Sequence, residues 1–155
     1  MKLKFTRRTF IKRAIYALLS LEVVYIFYSL LGKKKDGDVV DGWFDAGNIN
    51  FFENNKVYPF GSAHFYLSRL EDGGMLAISI HCTHLGCAVQ FNQNKDRFVC
   101  PCHASAFNKH GEVLSPPATR ALDIFPISIR DNKVLVNINN PIRRDKYEAS
   151  QLTYV

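Results

Sequence analysis

Cysteine is absent from the chain outside one short window: all four lie between positions 82 and 102. Four cysteines in a small chain fit either disulfides or a metal site, and composition alone leaves both open. Acid is absent from residues 1–13, which carry Lys2, Lys4, Arg7, Arg8, Lys12 and Arg13. A basic excess is in turn absent from the remainder. From Asp36 to Val155 there are 11 Lys/Arg against 13 Asp/Glu, so the formal charge of +6 belongs to the N-terminal segment. Nucleic-acid binding needs a basic face on the folded domain, and that support is missing; no nucleic-acid partner is expected. Internal repeats and low-complexity segments are also absent. With 47% hydrophobic and 22% charged residues in 155, the composition is that of one folded domain with appendages.

The N-terminal segment reads Thr6-Arg7-Arg8-Thr9-Phe10-Ile11-Lys12. An arginine pair ahead of a long apolar run, with Phe two places on and a trailing Lys, resembles the twin-arginine signal of bacterial export. The plainer alternative is the positive flank of any membrane anchor. Ala14–Leu31 is an 18-residue, mostly apolar run, about 27 Å long as a helix against a hydrocarbon core of about 30 Å. Tyr16, Tyr25 and Tyr28 suit the interfaces, and Tyr28-Ser29-Leu30-Leu31-Gly32 offers no small-x-small cleavage site. One uncleaved transmembrane helix over 14–31 is therefore expected in the bacterial cytoplasmic membrane. Six positive charges precede it and three follow, which puts the N-terminus in the cytoplasm and the domain on the periplasmic side. Glu22, near its middle, is read either as a helix–helix contact or as a tolerated, protonated carboxyl. Residues 32–42, rich in glycine and charge, read as a tether, either a plain linker or a hinge.

From Trp43 onward no stretch has a 3.6-residue apolar period. Short β-rich runs appear instead at 64–70, 75–81, 88–91, 97–100, 121–129 and 133–138. Glu71-Asp72-Gly73-Gly74 and Asp131-Asn132 read as hairpin turns. The fold expected over 43–140 is all-β, a small antiparallel sandwich or barrel with an inserted cluster-binding subdomain, followed by a tail at 141–155.

Two blocks carry the chemistry: Cys82-Thr83-His84-Leu85-Gly86-Cys87 and Cys100-Pro101-Cys102-His103-Ala104-Ser105. Cys-x-His followed, after fifteen residues, by Cys-x-x-His resembles the Rieske iron–sulfur family. The resemblance implies one [2Fe–2S] cluster, with Cys82 and Cys100 on the inner iron and His84 and His103 on the outer. It implies a Cys87–Cys102 disulfide of the cytochrome bc type, joining the two loops. Ser115–Leu122 resembles the family's proline-rich loop, in which Pro116, Pro117 and Ala118, with Leu85, would shield the cluster and form a docking surface. Ser105 matches a serine that bonds a bridging sulfide, whereas Phe107 stands where high-potential members carry Tyr, and Ala104 where Gly is common. Ser105 and Phe107 are thus the expected tuners of potential. A structural zinc site is the alternative for two Cys and two His, but zinc fingers pair like ligands in each block. His81 and His110 read as structural or exposed.

The resemblance implies a subunit of a quinol–cytochrome c oxidoreductase of the respiratory chain. His84 or His103 would accept the quinol hydrogen bond and proton. A cytochrome b-type membrane subunit and a c-type cytochrome acceptor are the implied partners. The rival readings are the small Rieske subunit of an exported metalloenzyme such as arsenite oxidase, and a structural metal-binding module without a redox role.

Overall fold

A computed structural model describes residues 7–31 and 39–155. The chain divides into two units, Met1–Lys35 and Asp36–Val155. The described residues of the first form a helix, α1 (Arg7–Leu31), uninterrupted by Gly or Pro over 25 residues. Its described side chains are all exposed, among them Phe10, Leu18, Tyr25 and Tyr28, and its apolar residues form no one-sided stripe. The hydroxyls of Ser20 and Ser29 donate to the carbonyls of Ala17 and Ile26, each at 2.8 Å, and so need no outside partner. The helix begins ahead of the expected 14–31 run and takes in the arginine pair. Among the described residues, however, no helix is long and apolar enough to cross a membrane. Arg7, Arg8, Lys12 and Arg13 occupy its first two turns and Glu22 its middle. The helix expected over 14–31 is thus present as part of α1. The start of the export-like segment (1–6) and most of the expected tether (32–38) lie outside the described residues.

The second unit has twelve strands among its described residues. In chain order these are β1 (Val39–Val40), β2 (Trp43–Asn48), β3 (Lys56–Phe60), β4 (Phe65–Arg69), β5 (Met75–Ser79) and β6 (Gln90–Asn92). There follow β7 (Arg97–Val99), β8 (Ala106–Phe107), β9 (Val113–Ser115), β10 (Ile124–Phe125), β11 (Ile127–Arg130) and β12 (Lys133–Asn137). They form three antiparallel four-stranded sheets, ordered β1-β2-β12-β11, β10-β5-β4-β3 and β6-β7-β8-β9. The third sheet is inserted between β5 and β10, neighbours in the second, as the sequence leads one to expect of a cluster-binding subdomain.

Turn chemistry sets the register. Asp131 and Asn132 join β11 to β12 with φ of 49° and 59°, the paired left-handed residues of a two-residue type I′ hairpin. Asp41 and Gly42 do the same between β1 and β2 (φ 50° and 82°). Residues 39–42, expected in the tether, thus already belong to a sheet. At 71–74 the Asp72 carboxylate accepts from Gly74 N–H at 3.0 Å and Leu70 N–H donates to Gly74 carbonyl at 2.8 Å. The single strand expected at 121–129 is two strands in different sheets. Pro126 has no N–H to continue a ladder, and the chain changes sheet there. β2 and β3 were not evident in the sequence because Gly47 and Pro59 interrupt their patterns; Pro59 sits in an edge strand, where proline is tolerated.

β5 is buried throughout and is shared by two cores. Met75 and Ala77 face one side with Phe44, Phe65, Phe125, Val134 and Val136. Leu76 and Ile78 face the other with Val89, Phe98, Phe107 and Leu122, together with Cys82 and Cys100. A strand buried on both faces reads as a continuous apolar run. The tail at 141–155 is part of the domain. Ile142 bridges Ile124 and Thr153 bridges Met75. The Arg144 guanidinium is buried and donates to the carbonyls of Leu122 (2.7 Å) and His110 and to Gln151 Oε1 (2.6 Å). Burial pulls its pKa down to about 10.

Candidate metal centre

The two chemistry-bearing blocks fold into the same loop twice. In the first, Cys82 N–H donates to Cys87 carbonyl and Gly86 N–H donates to Cys82 carbonyl, both at 2.8 Å. In the second, Cys100 N–H donates to Ser105 carbonyl at 2.8 Å and Ala104 N–H to Cys100 carbonyl at 3.0 Å. Each loop turns back through a left-handed residue four places after its cysteine, Gly86 (φ 79°) and Ala104 (φ 60°). An L-residue in that conformation is strained by roughly 1–2 kcal/mol, partly offset by the lower chain entropy of alanine in the unfolded state. Ala104 is exposed and packs nothing away. Ala104→Gly is therefore expected to stabilise the holoprotein by up to about 1 kcal/mol. A denaturation midpoint that stays put or falls would refute this.

The loops bring the predicted residues together. The His84 and His103 rings lie 4.9 Å apart between centroids, at 89° to one another. Cys82 and Cys100 are buried and unbridged. Cys87 and Cys102 form the disulfide, with Cα atoms 6.6 Å apart. The sulfurs of Cys87, Cys100 and Cys102 lie within 4.8 Å of one another. Two of these three are bonded to each other, so they are no thiolate set; they show instead how close the disulfide sits to Cys100. Burial pushes the Cys82 thiol up. The His84 backbone N–H and the Ser105 hydroxyl pull it down, while neighbouring Cys100 pushes it further up. Two adjacent buried thiols held in this way need a cation to become thiolates. Nδ1 of His84 is buried without a hydrogen-bond partner, as a nitrogen reserved for a metal would be. A cluster with two thiolate and two imidazole ligands fits this donor set.

The proline-rich loop is tied to both cluster loops. Thr83 Oγ1 donates to Arg120 carbonyl at 2.8 Å, and Ala118 N–H donates to Ser105 Oγ at 3.0 Å. Ser105 therefore accepts from the backbone and keeps its own hydrogen for a sulfur. The Arg120 guanidinium grips the Asp123 carboxylate through both nitrogens. Sequence reasoning missed these cross-ties, since neither Thr83 nor Asp123 belongs to a ligand pattern. Leu85 is 70% exposed and Pro116 is exposed, whereas Ala118 is buried and can only shield. Phe107 is wholly buried in the same core as Cys82 and Cys100. His110 is half-buried and stacks on Tyr147 at 4.3 Å.

The Rieske [2Fe-2S] domain family matches residues 42–126, more than half of the chain, and the chain belongs to that family. Its cofactor is one Rieske [2Fe–2S] cluster. Over 99 residues the chain is 39% identical to the cytochrome b6-f complex iron-sulfur subunit of Prochlorococcus marinus (strain MIT 9211), covering 62% of this chain and 54% of that protein. It is 32% identical over 83 residues to the subunit of the same name from Chlorobaculum tepidum, covering 54% and 45%. The chain thus spans about half the length of the curated relatives it matches. Among solved structures, the quaternary ammonium Rieske monooxygenase CntA superposes with a TM-score of 0.52 at 15% identity, over 63% of this chain and 32% of that one. That likeness concerns the fold alone.

Proposed function

We propose that the protein passes single electrons, each with a coupled proton, from quinol to a c-type cytochrome, as the iron–sulfur subunit of a cytochrome bc-type complex. The observation that carries this reading is the paired loops, with two buried free cysteines, two histidine rings 4.9 Å apart and a disulfide between the loops. The proposed ligands are Cys82 and Cys100 as thiolates and His84 and His103 as imidazoles. The partnerless, buried Nδ1 of His84 supports binding through that atom. When bound, the cluster supplies one-electron chemistry at a potential raised by its histidine ligands.

The chain's own residues then do three things. With Nδ1 of His84 given to the metal, its Nε2 lone pair would accept the hydrogen bond and then the proton of a quinol hydroxyl; His103, which is exposed, offers its outer nitrogen in the same way. Pro117 and Ala118 keep water from the cluster, and exposed Leu85 and Pro116 form the surface that meets the cytochrome b-type subunit. Ser105 withdraws charge from sulfur through its free hydrogen. The names of the curated relatives, subunits of cytochrome b6-f complexes, support this assignment over the small subunit of an exported metalloenzyme such as arsenite oxidase. The location that goes with it is the periplasmic side of the bacterial cytoplasmic membrane. The domain reaches that side by twin-arginine export, and the exposed apolar residues of α1 hold it to the membrane-bound complex. Purification from native membranes tests the whole: a cytochrome b should accompany the protein, and a molybdenum-type catalytic subunit in its place would reject the reading.

Phe107 carries a separate expectation. A phenyl ring offers no hydroxyl to a ligand sulfur, which then keeps more electron density. One hydrogen bond of ordinary net strength is worth about 0.5–1.5 kcal/mol, and about 1.4 kcal/mol corresponds to 59 mV for a one-electron couple. Phe107→Tyr should raise the midpoint potential by tens of millivolts in a redox titration at one pH. An unchanged or lower potential, with the new hydroxyl within bonding distance of sulfur, would refute it.

A further inference from the structure

We propose that His64 and His81 form a second metal-binding site, which takes a divalent transition-metal ion between two imidazoles and solvent. Neither residue belongs to the cluster motif. Both line a cleft of about 390 Å³, together with Ser62, Ser79, Asp123 and Phe125. The two rings lie 5.7 Å apart between centroids, at 89°. Imidazoles sharing one tetrahedral ion at metal–nitrogen distances of about 2.0–2.1 Å have centroids about 5–6 Å apart, so the pair already has the required spacing.

The hydrogen bonding supplies the correct tautomer. Nδ1 of His81 lies 3.3 Å from the carbonyl oxygen of Gly86. A carbonyl can only accept, so Nδ1 carries the hydrogen and Nε2 keeps its lone pair. Metal-binding histidines are typically oriented in this way, with the second nitrogen donating to a backbone carbonyl. His64 is fixed from the other side. It adopts left-handed backbone (φ 59°, ψ 37°) after the short helical turn Gly61–Ala63. Its N–H donates to Gly61 carbonyl at 3.3 Å, and its carbonyl accepts from Ile80 N–H at 3.1 Å. These two backbone bonds fix the position of His64 at the cleft.

The chemistry of the donors names the class of ion. Two neutral imidazoles favour zinc, copper or nickel over magnesium or calcium, which prefer oxygen. Asp123 is committed to Arg120 through both carboxylate oxygens, so water or the serine hydroxyls complete the coordination.

Equilibrium dialysis of the iron-loaded full chain against Zn²⁺ tests the proposal, with zinc and iron counted in the same sample. A single zinc ion per chain should bind without loss of iron. His64→Asn, chosen because asparagine tolerates left-handed backbone, should weaken zinc binding about tenfold or more while iron content and the EPR spectrum stay unchanged. His110→Ala, a histidine outside the cleft, should leave zinc affinity unchanged. If His81→Ala loses iron, His64→Asn alone decides. No zinc binding, zinc bound only in exchange for iron, or equal affinity in His64→Asn would each overturn the site. None of these results depends on which quinol or cytochrome the protein serves.

Discussion

Replacing His84 with alanine is expected to abolish the Rieske EPR spectrum completely while leaving the domain folded. The loop's shape does not depend on the imidazole. It is set by the backbone bonds between Cys82 and Cys87 and between Gly86 and Cys82, and by the disulfide. The variant removes a buried nitrogen that has no partner within the protein, and a methyl group cannot bind iron. Circular dichroism of the β-domain should be retained and the iron signal lost. Leu85→Ala, one residue on at a side chain 70% exposed, should keep a normal spectrum and is the matched control. An intact signal in His84→Ala would remove His84 from the proposed ligand set.

The second large effect is expected from Cys87→Ser. The bridge to Cys102 spans a sequence separation of 15. Closing a loop of that length stabilises a fold by about 3 kcal/mol in the chain-entropy model, and losing a native disulfide from a small domain costs about 2–5 kcal/mol. Each cluster loop is otherwise closed by two backbone hydrogen bonds of its own, so the disulfide is the covalent tie between the two loops. The proline-rich loop, through Thr83 and Ser105, is the indirect tie. The unfolding midpoint should therefore drop by an amount equivalent to about 3 kcal/mol, with the cluster spectrum still present before unfolding, since no proposed ligand has changed. An unchanged midpoint, or native protein in which mass spectrometry finds Cys87 and Cys102 as free thiols, would contradict the structural role given to the bridge.

The site was legible in the sequence to a degree the surrounding fold was not, and the reason is physical. Metal and disulfide chemistry fix both residue type and spacing, so Cys82, His84, Cys87, Cys100, Cys102 and His103 stand out in one dimension. Left-handed hairpin turns are similarly local, and Asp131-Asn132 was recognisable. Elements held by distant partners were not. The tail at 141–155 has no periodicity of its own, and its place is set by Arg144 reaching backbone carbonyls at 110 and 122. The 121–129 run is mostly apolar, and only the sheet pairing shows that Pro126 divides it. The tie between Thr83 and Arg120 spans 37 residues, beyond any local pattern. The helix expected at 14–31 is present within α1, and it begins earlier, at Arg7, because the basic residues ahead of the apolar run carry no helix breaker.

The most direct test of the central claim is nitrogen ENDOR spectroscopy of the reduced, purified protein. Two strongly coupled nitrogens are expected on the reduced centre, one from each imidazole, with one lost in His103→Cys. A centre without coupled histidine nitrogen, or a protein whose metal is zinc, would contradict it.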